Sequence, residues 1–240
     1  MVRLDKYLAD MGKGSRSEIK KYVKAKRVKI NGEIAKSSDI KIAPDSDEIR
    51  LDECLISYEE HVYYMLNKPE GVVSATEDNL HKTVIDLIKS EDKRRGLFSM
   101  GRLDIDTTGL LIITDDGELS HRLLSPKYHV DKCYYAIVEG KVSEEDAIRV
   151  KEPLNIGSDK EPIMTLPASM DIISSSDEIS EINLTICEGK FHQVKKMMAK
   201  LNHPVIKLKR VSFGAIKLDE ELKPGEYRKL TNEELEMIKV

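Results

Sequence analysis

Cysteine and long apolar runs are scarce in this sequence, and their scarcity narrows the possible classes of protein. The three cysteines, Cys54, Cys133 and Cys187, lie far apart and form no Cys-x-x-Cys pair. This pattern argues against a disulfide framework and against a zinc site. No run approaches the roughly 20 apolar residues of a membrane-spanning helix, and the first residues do not have the pattern of a signal peptide. We therefore expect a cytoplasmic protein without a bound metal or a membrane partner.

The sequence also lacks the glycine-rich loop with which nucleotide-dependent enzymes bind phosphate. We therefore predict no cofactor. Tryptophan is absent and aromatic residues make up only 5% of the chain, so any stacking on a planar ligand has to rest on a few tyrosines.

Charge is distributed unevenly along the 240 residues. Residues 1–44 contain 12 Lys and Arg against 5 Asp and Glu, a net charge of +7. Residues 45–240 contain 27 against 38, a net charge of −11. A basic module joined to an acidic body is typical of a protein with a nucleic-acid-binding arm.

Hydrophobic periodicity predicts a small module followed by a larger α+β domain. Short alternating and apolar strands outnumber the helices and do not alternate regularly with them, which favours a mixed, mainly antiparallel sheet flanked by helices. We predict a basic domain at residues 1–47, a linker at 48–60 and a catalytic domain at 61–240.

The first module has the pattern of a helical hairpin followed by strands. Ser15 and Glu18 form a capping-box pattern at the start of the second helix, and Asn31-Gly32 is a hairpin turn. The module resembles a small RNA-binding domain that is shared by a ribosomal small-subunit protein and many RNA-modifying enzymes. Basic side chains on the helices suit contacts with RNA phosphates, and we predict such contacts for Arg3, Lys6, Arg16, Lys20 and Lys24.

The central segment from Gly101 to Leu111 reads GRLDIDTTGLL. It resembles the catalytic motif of pseudouridine synthases, and specifically of the RsuA type, which carries the same small RNA-binding domain. Further segments match the family in the same order along nearly the whole chain. These segments are Lys68-Pro69-Glu70-Gly71, Lys132-Cys133-Tyr134, Glu188 to Met197, Leu208-Lys209-Arg210, and Pro224-Gly225-Glu226-Tyr227.

The resemblance implies three catalytic residues. Asp104 is the implied nucleophile, because a carboxylate can form a covalent adduct and divide a difficult step into two. Attack on the sugar and attack on the base both stay open, and a turn or capping role is the ordinary alternative for such an aspartate. Tyr134 is placed to stack on the uracil and to accept a proton. Lys195 supplies a cation that favours the ionised carboxylate and orients it.

Three more residues are implied as substrate contacts. Arg102 can hold phosphates or fill the space that a flipped base leaves, Leu208 can pack on the uracil, and Lys68 is expected to contact RNA or to have a structural role. Asp106 receives no catalytic role from the sequence. His192 and Gln193 are expected only as contacts at a helix start.

The predicted function is therefore the isomerisation of one uridine in ribosomal RNA, with small-subunit RNA favoured by the His192 to Lys195 motif and the Pro224 to Tyr227 ending. We expect a monomer. The alternatives are a synthase of the same family that acts on large-subunit RNA and a non-catalytic RNA-binding assembly factor. A nucleoside hydrolase is disfavoured because the basic arm suits a polymer.

Overall fold

The computed structural model describes residues 1–239, which divide by their contacts into two units. One unit comprises Met1–Val62 together with Ile88–Phe98, and we call it the N-terminal unit. The other comprises residues 63–87 and 99–239, and we call it the C-terminal unit. The segment Ile88–Phe98 thus belongs to the first unit although it follows the first strand of the second.

Two short helices and six short strands form the N-terminal unit. The second helix begins at the predicted capping box, in which the Ser15 side chain accepts from the Glu18 amide and the Glu18 side chain accepts from the Ser15 amide. The elements are β1 (Val2–Arg3), α1 (Leu4–Asp10), α2 (Arg16–Lys24), β2 (Val28–Ile30), β3 (Glu33–Ile34), β4 (Lys41–Ile42), β5 (Ile49–Leu51) and β6 (Cys54–Leu55).

The first half of the predicted linker at residues 48–60 is occupied by strands in the structure. That interval contains β5 and β6, which extend a four-stranded sheet in the order β3-β2-β5-β6. The polar pair Asp52-Glu53 is the turn between these strands, and both residues have a positive φ. Ile49 is fully buried. A short strand of this kind with polar neighbours looks like a connector in sequence, but Ile49 anchors it in the core and Leu51 packs against the same core.

A small hydrophobic core holds the N-terminal unit together. Burying an aliphatic or aromatic side chain stabilises a fold by about 1.5–3 kcal/mol. Tyr7 lies at the centre of this core, and its hydroxyl donates to the Ile56 carbonyl at 2.7 Å. The other fully buried members include Leu4, Leu8, Ile19, Val28, Ile42 and Ile49.

One large mixed sheet forms the C-terminal unit. Its main order is β11-β12-β10-β13-β9-β7-β15, with β14 paired to β13 and β8 to β9. The strands are β7 (Tyr63–Lys68), β8 (Phe98–Met100), β9 (Thr108–Thr114), β10 (Lys132–Glu139), β11 (Ser169–Ser175), β12 (Ile179–Ile186), β13 (Val205–Phe213), β14 (Ile216–Lys217) and β15 (Tyr227–Lys229).

Most of the strand pairs in this sheet are antiparallel, and β9 with β13 is a parallel pair. The predicted α+β class with a mainly antiparallel sheet is therefore confirmed. The two parallel strands approach closely at Gly109, where a Cβ atom would lie 2.2 Å from the Arg210 carbonyl oxygen. Glycine is required at this position, because its φ of +100° and the lack of space both exclude a side chain.

Four helices accompany the sheet. They are α3 (Gly117–Leu124), α4 (Glu144–Arg149), α5 (Gln193–Lys200) and α6 (Asn232–Lys239). Side chains from α3 and α6 pack on strands β7 and β9 in a core that includes Met65, Leu110, Ile112, Leu119, Phe213 and Ile238. Within residues 1–239, no helix combines the length and the apolar character needed to cross a membrane.

Candidate active site

The loop between β8 and β9 carries the predicted nucleophile. Asp104 lies in this loop, and its carbonyl accepts from the Thr107 amide at 3.1 Å, which closes a turn around the aspartate. On the preceding side, the Ser74 hydroxyl donates to the Leu103 carbonyl at 2.9 Å and accepts from the Leu103 amide at 3.0 Å. The loop is therefore fixed on both sides of the Asp104 side chain.

Lys68 stabilises the same loop through hydrogen bonds to backbone carbonyls. This lysine is fully buried at the end of β7, and its Nζ donates to the carbonyls of Thr107 at 2.8 Å, Pro69 at 3.1 Å and Ile105 at 3.3 Å. Burial lowers the pKa of the Lys68 ammonium to about 8, although the nearby Asp106 and Asp104 carboxylates oppose the shift. The geometry favours the structural role for Lys68 and not the predicted contact with substrate.

Lys195 on α5 connects two carboxylates. Its Nζ lies 3.2 Å from Asp104 Oδ2 and 2.6 Å from Asp106 Oδ1. Burial lowers the pKa of Lys195, but hydrogen bonds and charge from Asp106 and Asp104 outweigh it, so that the pKa is raised. The hydrogen bond from Lys195 lowers the pKa of the Asp106 carboxyl. The ammonium is thus held in its charged form beside Asp104.

His192 also faces the predicted nucleophile. Its Nε2 lies 3.6 Å from Asp104 Oδ1. The residue precedes α5 with a φ of +53°, a backbone conformation that a residue other than glycine rarely adopts. This turn directs the imidazole toward Asp104 while the helix that follows presents Lys195.

A hydrogen-bonded group fixes the start of α5. The buried Gln193 side chain accepts from the Lys190 amide at 2.9 Å and donates to Glu188 Oε1 at 2.7 Å. Glu188 also accepts from the Leu166 amide at 2.8 Å. These contacts leave little freedom to the turn that carries His192, so Gln193 acts as the helix-start contact that the sequence suggests.

A cavity of about 90 Å³ opens above Asp104. It brings together five of the six residues that the resemblance implies for catalysis or substrate contact: Arg102, Asp104, Tyr134, Lys195 and Leu208. The alternation of β10 sends its two tyrosines to opposite faces. Tyr134 lines the cavity, whereas the Tyr135 hydroxyl donates to Glu181 at 2.5 Å on the other face.

Arg102 differs from the other charged groups of the cavity. It is exposed, and its guanidinium makes no hydrogen bond or ion pair with any residue from 1 to 239. An unpaired guanidinium at the cavity mouth is free to bind phosphate bidentately or to stack on a base. The Thr107 hydroxyl is also without a partner but is buried in the cavity wall.

Sequence reasoning assigned no catalytic role to Asp106 or His192, and the structure brings both to Asp104. Asp106 follows Asp104 by two residues, but only the turn in the loop shows that both carboxylates face Lys195. The left-handed backbone of His192 likewise has no signature in sequence. The spacing of two residues between the carboxylates of Asp104 and Asp106 is the one sequence signal for Asp106.

The predicted RNA contacts of the N-terminal unit have two different environments. Lys6, Arg16, Lys20 and Lys24 are exposed, and none of their side chains forms an ion pair within the part of the chain that the structure describes. Arg3 instead forms an ion pair with Asp5 at 2.7 Å. Arg3 is thus partly neutralised, whereas the other four present free positive charge.

No cluster of three or more histidine, cysteine, aspartate or glutamate side chains suited to a metal ion occurs within the described range. The cavity itself presents the Asp104 carboxylate together with an ammonium, an imidazole and a phenol. Such a set can form a covalent adduct through Asp104 and transfer protons nearby.

Family models match both units of the chain. Residues 62–200 match the model described as RNA pseudouridylate synthase, and residues 2–48 match the S4 domain. An S4 domain followed by a mixed sheet with this cavity defines the class: the protein is an RNA-modifying isomerase that binds RNA.

Relatives identify the type within that class. An uncharacterised RNA pseudouridine synthase of Bacillus subtilis is 45% identical over 99% of this chain and 98% of its own. The ribosomal small subunit pseudouridine synthase A of Yersinia pestis is 43% identical over 98% and 97%. A crystal structure of a pseudouridylate synthase is 40% identical and covers 99% of this chain and 100% of its own, with a TM-score of 0.67. The chain belongs to the RsuA-type RNA pseudouridine synthases.

Proposed function

We propose that this enzyme converts one specific uridine of small-subunit ribosomal RNA to pseudouridine, with Asp104 as its nucleophile. The observation that carries the proposal is the position of the Asp104 carboxylate, which lies 3.2 Å from the Lys195 ammonium in a cavity shared with Arg102, Tyr134 and Leu208. The choice of RNA is supported by the name of relatives at 38–43% identity, ribosomal small subunit pseudouridine synthase A.

The reaction breaks the N-glycosidic bond, turns the uracil and joins it to the ribose through carbon. Reactant and product are isomers, so no atoms or electrons are supplied from outside. The Asp104 carboxylate forms a covalent bond either to the anomeric carbon or to the pyrimidine ring, and it is released when the new bond to carbon has formed. Lys195, whose Nζ lies 3.2 Å from Asp104 Oδ2, orients the carboxylate during this sequence.

The hydrogen on the carbon that enters the new glycosidic bond has to leave as a proton, and the ring nitrogen released from the ribose has to gain one, so that the product is an isomer. Tyr134 lines the cavity, and it is the proposed acceptor of the proton that leaves the carbon. Leu208 forms an apolar wall, which is 7% exposed and suits the face of the uracil ring.

A uridine in folded RNA has to leave its stack before it can enter the cavity. We assign this step to Arg102, whose guanidinium has no protein partner among residues 1–239. It can fill the vacated position in the RNA or hold the displaced phosphate.

The N-terminal unit docks the RNA in this proposal. Its free cations, Lys6, Arg16, Lys20 and Lys24, contact phosphates and so contribute affinity without sequence information. The proposal includes a monomer that works in the cytoplasm without a metal or a cofactor.

Pseudouridine mapping of ribosomal RNA tests the proposal. RNA from cells that lack this protein is compared with RNA from cells rescued by the wild type or by Asp104→Asn. We expect one small-subunit site to lose its modification and to regain it with the wild type alone. A change confined to large-subunit RNA would refute the choice of substrate, and restoration by Asp104→Asn would refute the nucleophile.

A further inference from the structure

The segment Ile88–Phe98 packs on the helices of the N-terminal unit and forms one wall of a groove. The groove has a volume of about 410 Å³. One wall is the end of α1 with the loop and the start of α2 that follow it, and the other is the segment around Lys93. The lining residues are Ala9, Asp10, Gly12, Gly14, Ser15, Arg16, Lys93 and Arg95.

Two contacts fix this segment in place. The Arg94 side chain donates from Nε to the Asp10 carbonyl at 2.7 Å and from Nη2 to the Glu59 carbonyl at 2.8 Å. Gly12 lies against the segment so closely that a Cβ atom on it would be 2.5 Å from the Lys93 carbonyl oxygen. The wall is therefore built on specific contacts between backbone and side chain.

The charges in the groove are mainly positive and unpaired. Arg16, Lys93 and Arg95 are exposed, and none of the three side chains has a hydrogen bond or an ion pair within residues 1–239. Asp10 contributes the one carboxylate of the lining. Glu18 lies nearby, but its carboxylate already accepts from the amide and the hydroxyl of Ser15.

We propose that this groove, formed by Arg16 together with Lys93 and Arg95, binds the phosphodiester backbone of the RNA substrate. Three cations without protein partners around an open groove are suited to a polyanion, because each phosphate contact releases a condensed counterion. The proposal extends the RNA-binding surface beyond the S4 match at residues 2–48. It rests on the proposed function for the identity of the RNA.

The test uses the full-length double variant Lys93→Gln/Arg95→Gln. Both side chains are exposed and unpaired, so the variant is expected to unfold at the wild-type temperature. The matched control is Lys151→Gln/Lys160→Gln, which removes the same charge from exposed positions of the C-terminal unit. Affinity is measured for two probes, a small-subunit ribosomal RNA transcript and an unrelated RNA hairpin, over a range of salt concentrations.

We expect Lys93→Gln/Arg95→Gln to bind both RNAs roughly tenfold more weakly and to lower the slope of log affinity against log salt by about 1.5, since each phosphate contact contributes about 0.7–0.9. The control is expected to keep the wild-type affinity and slope. Adding Arg16→Gln is expected to lower the slope again. If Lys93→Gln/Arg95→Gln binds RNA with the affinity and the salt slope of the wild type, the proposal that the groove binds RNA is overturned.

The two proposals can fail separately. If the wild type does not form pseudouridine in any ribosomal RNA, the proposed substrate is wrong, but the hairpin titration still decides whether the groove binds RNA. If the wild type is active and the double variant binds normally, only the groove is wrong. Equal losses in the control variant would show a general charge effect and would also overturn it.

Discussion

The lysines around the candidate active site and the lysines on α2 differ in whether they have partners. In the C-terminal unit, Lys195 lies within 3.2 Å of two carboxylates and Lys68 donates to three backbone carbonyls. In the N-terminal unit, Lys20 and Lys24 extend from α2 without an ion pair in the described chain. A paired cation fixes the geometry of its partner, whereas an unpaired one is available to a polyanion.

The comparison predicts that substitutions in the C-terminal unit change catalysis and that those in the N-terminal unit change binding. Asp104→Asn should separate the effect on catalysis from the effect on RNA binding most clearly. We expect it to reduce pseudouridine formation by at least about 1,000-fold, because an amide cannot replace the carboxylate nucleophile. RNA affinity should stay within about twofold, since the exposed cations that we propose to bind phosphate are unchanged. Single-turnover assays and RNA titrations measure the two effects.

Asp106→Asn is the matched control for Asp104→Asn. It removes the same charge two residues away and loses one of the partners of Lys195. We expect a loss of about tenfold, because Lys195 keeps its contact with Asp104. Equal losses in the two variants would contradict the assignment of the nucleophile to Asp104 alone.

Lys195→Met should have the next largest effect. The change leaves Asp104 and Asp106 near each other without a cation, and like charges destabilise the ionised forms. We expect a loss of about 100-fold in the single-turnover rate. The pKa of Asp106, which the hydrogen bond from Lys195 lowers, should rise, and the acidic limb of the rate profile should move to higher pH.

Lys195→Arg tests whether charge alone accounts for that effect. It keeps the cation and should leave the acidic limb near its wild-type position while the rate falls less than in Lys195→Met. A pH profile that is the same in wild type and Lys195→Met would show that Lys195 does not control ionisation in the site.

Lys68→Met should alter how stability depends on pH. The pKa of Lys68 is about 8 in the fold and 10.5 in its ordinary range. Between these values the unfolded chain binds more protons than the folded chain, so this group makes the free energy of unfolding rise with pH. The rise is complete above pH 10.5 and is lost as the pH falls to about 8.

We expect the wild type to gain at most about 3 kcal/mol over this window relative to Lys68→Met. Urea denaturation of both proteins, followed from about pH 7 to about pH 10, isolates the contribution because the other titrating groups are shared. If the free energy of unfolding depends on pH in the same way in both proteins, the lowered pKa of the buried Lys68 is contradicted. We also expect a loss of roughly tenfold in activity, because the Asp104 loop loses its contacts with the Lys68 ammonium.

Local patterns predicted those parts of the fold that depend on neighbouring residues. The capping box at Ser15 and the Asn31-Gly32 turn are both present. The predicted linker at residues 48–60 includes β5 and β6, because three residues carry too little periodicity to show that Ile49 belongs to a core.

The site depends on contacts between residues far apart in sequence. Asp104 and Lys195 are 91 positions apart, and no spacing rule places them together, so their association came from the family resemblance. The roles of Asp106 and His192 depend on a turn and on a positive φ that the sequence does not specify. Strand alternation predicts that Tyr134 and Tyr135 face opposite sides, and the family resemblance selects Tyr134 for the cavity; the structure places Tyr134 in the cavity wall and bonds Tyr135 to Glu181. The catalytic assignments remain predictions until the substitutions are tested.

The smallest expected effect concerns the unpaired cations of α2. Lys20→Gln/Lys24→Gln should weaken RNA binding by about threefold to tenfold and lower the salt slope by about 1.5, because two phosphate contacts are lost. The rate at saturating RNA reports whether these lysines also position the substrate, and the Lys151→Gln/Lys160→Gln protein is again the charge-matched control. An unchanged slope would break the comparison between paired and unpaired cations, since exposed lysines without partners would then contribute nothing to RNA binding. If the salt slope falls while the folding stability of the variant equals that of the wild type, the lost binding energy comes from the charges of Lys20 and Lys24.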